Sequence, residues 1–155
     1  MSRILFALCI GLLILGAKAM PAQNGTYDAN ALRLEGMWGG FEVYRGSGTD
    51  LVGRPGVFRG LDVAAVVSAS PNATTEARVF QQHYPRGILA ISFGLATLAL
   101  SHGLSRLPDL NWTIQSTSWL IGFVSTVYGA QNLIIAHRAL SKSIWWYNRD
   151  LAANH

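Results

Sequence analysis

The sequence predicts a mainly α-helical integral membrane protein: a hairpin of two transmembrane helices, preceded by a signal peptide and a Gly-rich, largely irregular polar segment. Three observations carry this. Two apolar runs, 87–105 and 114–136, contain no Asp, Glu, Lys or Arg. Only the short stretch 106–113 joins them, which leaves adjacent antiparallel helices as the one arrangement. Charged residues make up 13% of the chain and apolar residues 50%, a balance shifted away from that of soluble domains.

The element nearest the N-terminus is residues 1–19. Arg3, the apolar stretch Ile4 to Ala17 and the triplet Ala17-Lys18-Ala19 read as the charged, apolar and cleavage regions of an export signal. The competing reading is a short uncleaved anchor, but the run is shorter than the roughly 17–25 residues that a spanning helix needs. Cys9, the only cysteine, lies inside it. Cleavage after Ala19 leaves a mature chain without thiol chemistry, disulfides or Cys-ligated metal.

Removing Arg3 and Lys18 also leaves ten basic residues against eight acids. The six Arg between residues 20 and 86 are matched by six acids, so no basic face for nucleic acid is expected.

Residues 20–70 form the Gly-rich extramembrane segment. Phe41-Glu42-Val43-Tyr44 alternates as a strand would, Gly46-Ser47-Gly48 ends it, and Gly53-Arg54-Pro55-Gly56 reads as a turn. Bulky apolar residues are too few for an independent core, so the segment is expected to pack on its own hairpin or on a partner. Leu61 to Ala69 is apolar but too short to span, which suits a helix lying on the membrane or against the hairpin.

Ser70 before Pro71 pairs a good N-cap with a good first helical residue. The amphipathic helix expected over 71–86 places Ala73, Ala77, Phe80 and Tyr84 on one face, and Pro85 marks a boundary or kink. Arg86 stands where a cation snorkels to headgroups. The transmembrane helix over 87–105 follows, about 28 Å long against a hydrocarbon core of about 30 Å. The loop 106–113 contains Arg106, Pro108 and Asp109.

The second transmembrane helix, 114–136, is framed by aromatic residues. Trp112 and Trp119 stand at one end, and Trp145, Trp146 and Tyr147 beyond the other. Helical counting from Trp119 to Trp145 gives about 39 Å, close to a bilayer with its interfaces. With Arg138, Lys142 and Arg149, these make 137–155 a basic and aromatic interfacial tail. The competing reading packs that aromatic helix end on residues 20–60.

Two rules disagree on orientation. The export signal places the polar segment and the C-terminus on the non-cytoplasmic side. The positive-inside rule favours the reverse, since Arg78, Arg86, Arg138, Lys142 and Arg149 flank one side against Arg106 in the loop. The export signal is followed here.

Helix packing is expected through small residues. Ser118, Gly122, Thr126 and Ala130 stand four apart on the second helix, with Ser125 and Gly129 beside them. The first helix offers Ala90 with Gly94, and Ala99 with Gly103. Such spacing admits close backbone approach within the hairpin, and two ladders leave one for self-association or a membrane-protein partner.

Gln131 and Asn132 are intramembrane amides that need partners. His83 and His137 fall at the same end of the hairpin, which raises a haem or pigment site ligated by imidazole. No metal site and no catalytic signature such as H-E-x-x-H, G-x-S-x-G or a P-loop is present. The functional expectation is therefore a non-catalytic accessory or scaffolding subunit. A cofactor-binding protein, or a homo-oligomeric pore lined by Ser118, Thr126, Gln131 and Asn132, is the alternative.

Overall fold

The computed structural model describes residues 25–37, 40–48, 50–56, 60–105 and 112–154. Residues 1–19, where the export signal is read, and most of the loop 106–113 lie outside them. Along the chain run α1 (Gly25–Asn30), β1 (Leu32–Met37), β2 (Gly40–Arg45), β3 (Asp50–Gly53), α2 (Val63–Val66), α3 (Pro71–Leu104) and α4 (Trp112–Ala153).

The architecture is a long antiparallel helical hairpin, α3 against α4, with a small sheet docked on one end. Helices of these lengths extend about 51 and 63 Å, well beyond a hydrocarbon core of about 30 Å. Both contain stretches apolar enough to cross a membrane.

The expected separation into a short amphipathic helix and a transmembrane helix is not observed, because α3 runs unbroken from Pro71 to Leu104 with Pro85 inside it. Pro85 removes one intrahelical donor, but buried Phe80, Tyr84 and Gly87 hold the helix on both sides of it. The stretch 137–153 likewise continues α4 without interruption.

The Gly-rich segment corrects the expectation of irregular structure. It forms a three-stranded antiparallel sheet in the order β1-β2-β3. Leu34 pairs with Val43 and Leu32 with Arg45, and a bulge between Val43 and Tyr44 adjusts the pairing with β3. Alternation puts Leu32, Leu34, Phe41 and Val43 on the face that joins the core, with Arg33, Glu35, Glu42 and Tyr44 on the other. Gly46 turns the chain out of β2 at φ +72°, and a Cβ there would stand 3.1 Å from the Ala29 carbonyl oxygen. Glycine at this position satisfies both the left-handed backbone and the close approach of α1.

The sheet is too small to bury its own apolar face and closes on the helices. Leu32, Val43, Val63 and Val67 share one core with Ala73, Ala77 and Phe80 of α3 and Ala136, Ala139, Leu140 and Ile144 of α4. Asn148 locks the contact between α4 and β1. Its Nδ2 donates to the Leu32 carbonyl and its Oδ1 accepts from the Leu32 amide, both at 2.8 Å, so the side chain acts as one residue of a neighbouring strand. Trp146 and Tyr147 pack against the same core, while Trp145 stays exposed.

The N-terminus of α3 is tied to the far end of α4. Ser70 caps α3 through the Ala73 amide (3.3 Å), and its hydroxyl donates to Asp150 Oδ2 at 2.6 Å. In the apolar stretches the outer surface instead exposes Leu89, Phe93, Leu100, Leu120, Phe123 and Val127, a coat suited to hydrocarbon.

Asn148→Ala removes both partners of a buried strand residue. It is expected to cost about 1–3 kcal/mol, read as a lower thermal midpoint of the protein in mild detergent.

Candidate functional site

The candidate site is the seam between the helices and the polar groups where the seam enters the head. Buried positions recur every seven residues on both helices: Ala73, Phe80, Gly87, Gly94 and Ser101 on α3, and Gly122, Gly129, Ala136 and Ser143 on α4. A seven-residue period is that of a left-handed helix pair. At the glycines the backbones nearly touch. A Cβ on Gly94 would stand 2.7 Å from the Gly122 carbonyl oxygen, and one on Gly129 2.8 Å from that of Gly87. Such an approach supplies van der Waals contact, the interaction that drives helix association inside a bilayer.

The small residues singled out in the sequence fall on different sides of this seam. Gly94 and Gly122 lie buried in it, with Thr126 beside Gly94. Ser118 and Ala90 are at its margin, and Ala130 is exposed. Gly129, which the sequence offers with Ser125, and Gly87, which it does not, are essential to the contact. The signal that finds Gly87 is the seven-residue recurrence shared by both helices, because no small residue stands four positions from it.

The hydroxyls read as pore-lining are satisfied within their own helix. Ser118 donates to the Ile114 carbonyl (2.9 Å) and Thr126 to that of Gly122 (2.8 Å). Ser143, nearer the head, differs from them: its fully buried hydroxyl finds no partner among the described residues.

Asn132 bridges the helices. Its Nδ2 donates to the Tyr128 carbonyl at 2.9 Å, and its Oδ1 stands 2.7 Å from Nδ1 of His83. That Oδ1 can only accept, so Nδ1 of His83 bears the proton in this contact. Gln131 is exposed.

His83 and His137 are not brought to a common site. His83 faces Asn132 across the seam, whereas His137 meets Phe41 of the sheet edge-on, with ring centroids 4.6 Å apart. Among the described residues no three His, Cys, Asp or Glu side chains converge as metal ligands.

The aromatic and basic positions also divide. Trp112 and Trp119 are exposed and line an open apolar groove with Leu120 and Phe123. Arg138 is exposed, and Lys142 lies 3.9 Å from Glu76 on α3. Arg149 sits 3.8 Å above the Trp146 ring, with Trp145 at 5.5 Å, and pairs with Asp150 at 2.9 Å.

Two polar clusters hold the head together. Glu42, buried in β2, accepts from the Tyr44 hydroxyl at 2.6 Å and from Arg54 Nε at 2.5 Å. The Tyr44 hydroxyl first, and Arg54 second, hold its carboxyl below the usual range, and the hydrogen bond to the Glu42 carboxylate raises Tyr44 in return. Asp150 is lowered in the same way by the Ser70 hydroxyl and then by Arg149. Asp62 caps α2 through the Ala65 amide at 3.1 Å and accepts from Gln81 at 2.6 Å, which lower its carboxyl, Gln81 more strongly.

Comparison with protein-family models, curated proteins and solved structures finds no match.

Three outcomes are expected from this geometry. Gly94→Ile drives a side chain into the Gly122 backbone and is expected to cost about 1–3 kcal/mol. Gly103→Ile, where an added Cβ meets nothing within 4 Å among the described residues, is expected to cost nothing measurable in the same thermal assay. Ser143→Ala deletes an unpartnered buried hydroxyl and is expected to be neutral or stabilising.

A pH dependence is expected as well. Carboxyls depressed in the folded state stabilise it above their unfolded pKa and lose that contribution as pH falls through the folded value. Acidification from the neutral range into and below the ordinary carboxylate range should therefore lower the thermal midpoint, and Glu42→Gln with Asp150→Asn should flatten that slope.

Proposed function

We propose that this chain is an integral membrane protein serving as a non-catalytic accessory or scaffolding subunit, through packing of its helical hairpin against a membrane-protein partner. One observation carries the reading. The hairpin's own seam uses Gly87, Gly94, Gly122 and Gly129, and a second row of small residues on α3 stays uncovered among the described residues. Ser92, Ala96, Ala99 and Gly103 follow the i, i+4, i+7, i+11 rule, so they share one face, and all four are exposed. Bulky residues exposed elsewhere on these helices suit lipid, whereas a row of small ones suits the close approach of another helix.

The polar head and the C-terminus belong to one side of the membrane in this reading. The export signal read at residues 1–19 assigns that side to the exterior. Reporter fusions after Asn154 and within the loop 106–113 test the assignment, and a cytoplasmic reporter after Asn154 overturns it.

The functional test is tagged purification from native membranes in mild detergent. A stoichiometric partner is expected with the native chain, and its loss from the Ala96→Leu/Ala99→Leu variant, whose thermal midpoint should stay unchanged. A chain that purifies alone and crosslinks only as a monomer in native membranes overturns the reading.

A further inference from the structure

The two flanks of the hairpin seam differ where it leaves the apolar stretches. On one flank Gln81 holds Asp62 before α2, His137 meets Phe41, and Asn148 clasps Leu32, so that flank is covered by α2 and the sheet. The other flank is bare among the described residues and carries the cross-helix pairs His83–Asn132 and Glu76–Lys142.

Arg86 lies one turn beyond His83 on α3, and Arg138 one turn before Lys142 on α4, which puts both at the rim of the bare flank. Each is exposed and makes no ion pair or hydrogen bond among the described residues. Arg33, Arg54, Lys142 and Arg149, by contrast, are all paired with acids.

Their height along the hairpin follows from the seam. Gly94 lies against Gly122 and Thr126. In this register Arg86 stands opposite about residue 132 and Arg138 opposite about residue 80, an axial separation of roughly 9 Å. Helical side chains lean toward the N-terminus of their own helix. The N-terminus of α3 is at the head and that of α4 at the other end, so the two arginines lean toward each other. Between them stands His83, with Nδ1 engaged by Asn132 and Nε2 without a partner among the described residues. Arg86 directly precedes one apolar run, and Arg138 follows the other by two residues, which is the depth of lipid phosphate.

We propose that Arg86 and Arg138 form a binding site for the phosphate of an anionic phospholipid on the bare flank of the hairpin, with its acyl chains lying along exposed Phe93, Val124 and Tyr128. Planar guanidinium groups bind phosphate oxygens in bidentate fashion, and two of them within reach of one phosphate on the same flank favour a headgroup of net negative charge. The acid on this flank nearest to them, Glu76, is already engaged by Lys142 about two turns toward the head. A zwitterionic headgroup brings its own cation among the arginines and gains less. The site rests on the membrane-spanning reading given above, though not on the partner.

Native mass spectrometry of the purified full chain tests it, with phosphatidylglycerol and phosphatidylcholine of identical acyl chains supplied at equal mole fraction. Phosphatidylglycerol adducts are expected at about fivefold higher occupancy or more. Arg86→Gln/Arg138→Gln should bring them down to the phosphatidylcholine level, while Arg45→Gln and Arg78→Gln leave them unchanged. Arg138→Gln alone, a lighter change, should lower them partway. Millimolar inorganic phosphate should not displace them.

Equal occupancy of the two lipids, adducts that survive in the double variant, or displacement by inorganic phosphate each overturn the site. Carbonate extraction of native membranes separates the failures. A chain released by carbonate sinks the membrane-spanning reading, whereas a retained chain without lipid preference sinks this site alone.

Discussion

The rest of the molecule depends on backbone-to-backbone contact between two pairs of glycines. Gly87 meets Gly129 and Gly94 meets Gly122, each so close that a Cβ on either side would meet the opposite carbonyl at 3.0 Å or less. Because both pairs are seven residues apart, they fix axial register and rotation together. The register propagates upward and determines which polar groups meet: His83 with Asn132, Glu76 with Lys142, and Ser70 with Asp150. A slip of one turn in either helix would separate all three pairs.

The head is a consequence of the same hairpin. Its sheet has an apolar face but no second layer of its own, and the ends of α3 and α4 supply that layer. Asn148 then completes the edge of β1 as a strand residue would, satisfying backbone groups of nearly fully buried Leu32. The opposite sheet face is polar and self-contained, with Glu42 shared between Tyr44 and Arg54, and Arg33 5.5 Å from the Tyr44 ring. Aromatic residues at the end of α4 therefore have two environments. Trp146 and Tyr147 belong to the head core, and Trp145 faces outward beside Arg149.

Much of the helical half was legible from residue type and period. The two uncharged runs are long enough to span a bilayer, and a connection as short as 106–113 forces antiparallel neighbours. The face Ala73, Ala77, Phe80 and Tyr84 is a plain i, i+4, i+7 pattern, and those residues are buried. The sheet was less legible. Its strands are short and Gly-flanked, and they are stabilised by a surface more than a hundred residues away in sequence, as the contact of Leu32 with Asn148 shows. Small residues alone were ambiguous too. Ala130 and Gly129 are adjacent and similar in size, yet only Gly129 meets the partner helix.

What the sequence by itself determined is the pairing of two helices and their amphipathic or wholly apolar character, since these follow from local composition and chain connectivity. Tertiary structure alone decided the register of the seam, the docking of the sheet and the assignment of each polar side chain to a flank. The physical reason is that those outcomes depend on rotation of one helix relative to another by a fraction of a turn. Local residue preferences do not encode that angle, and the closest approach of the glycine backbones sets it.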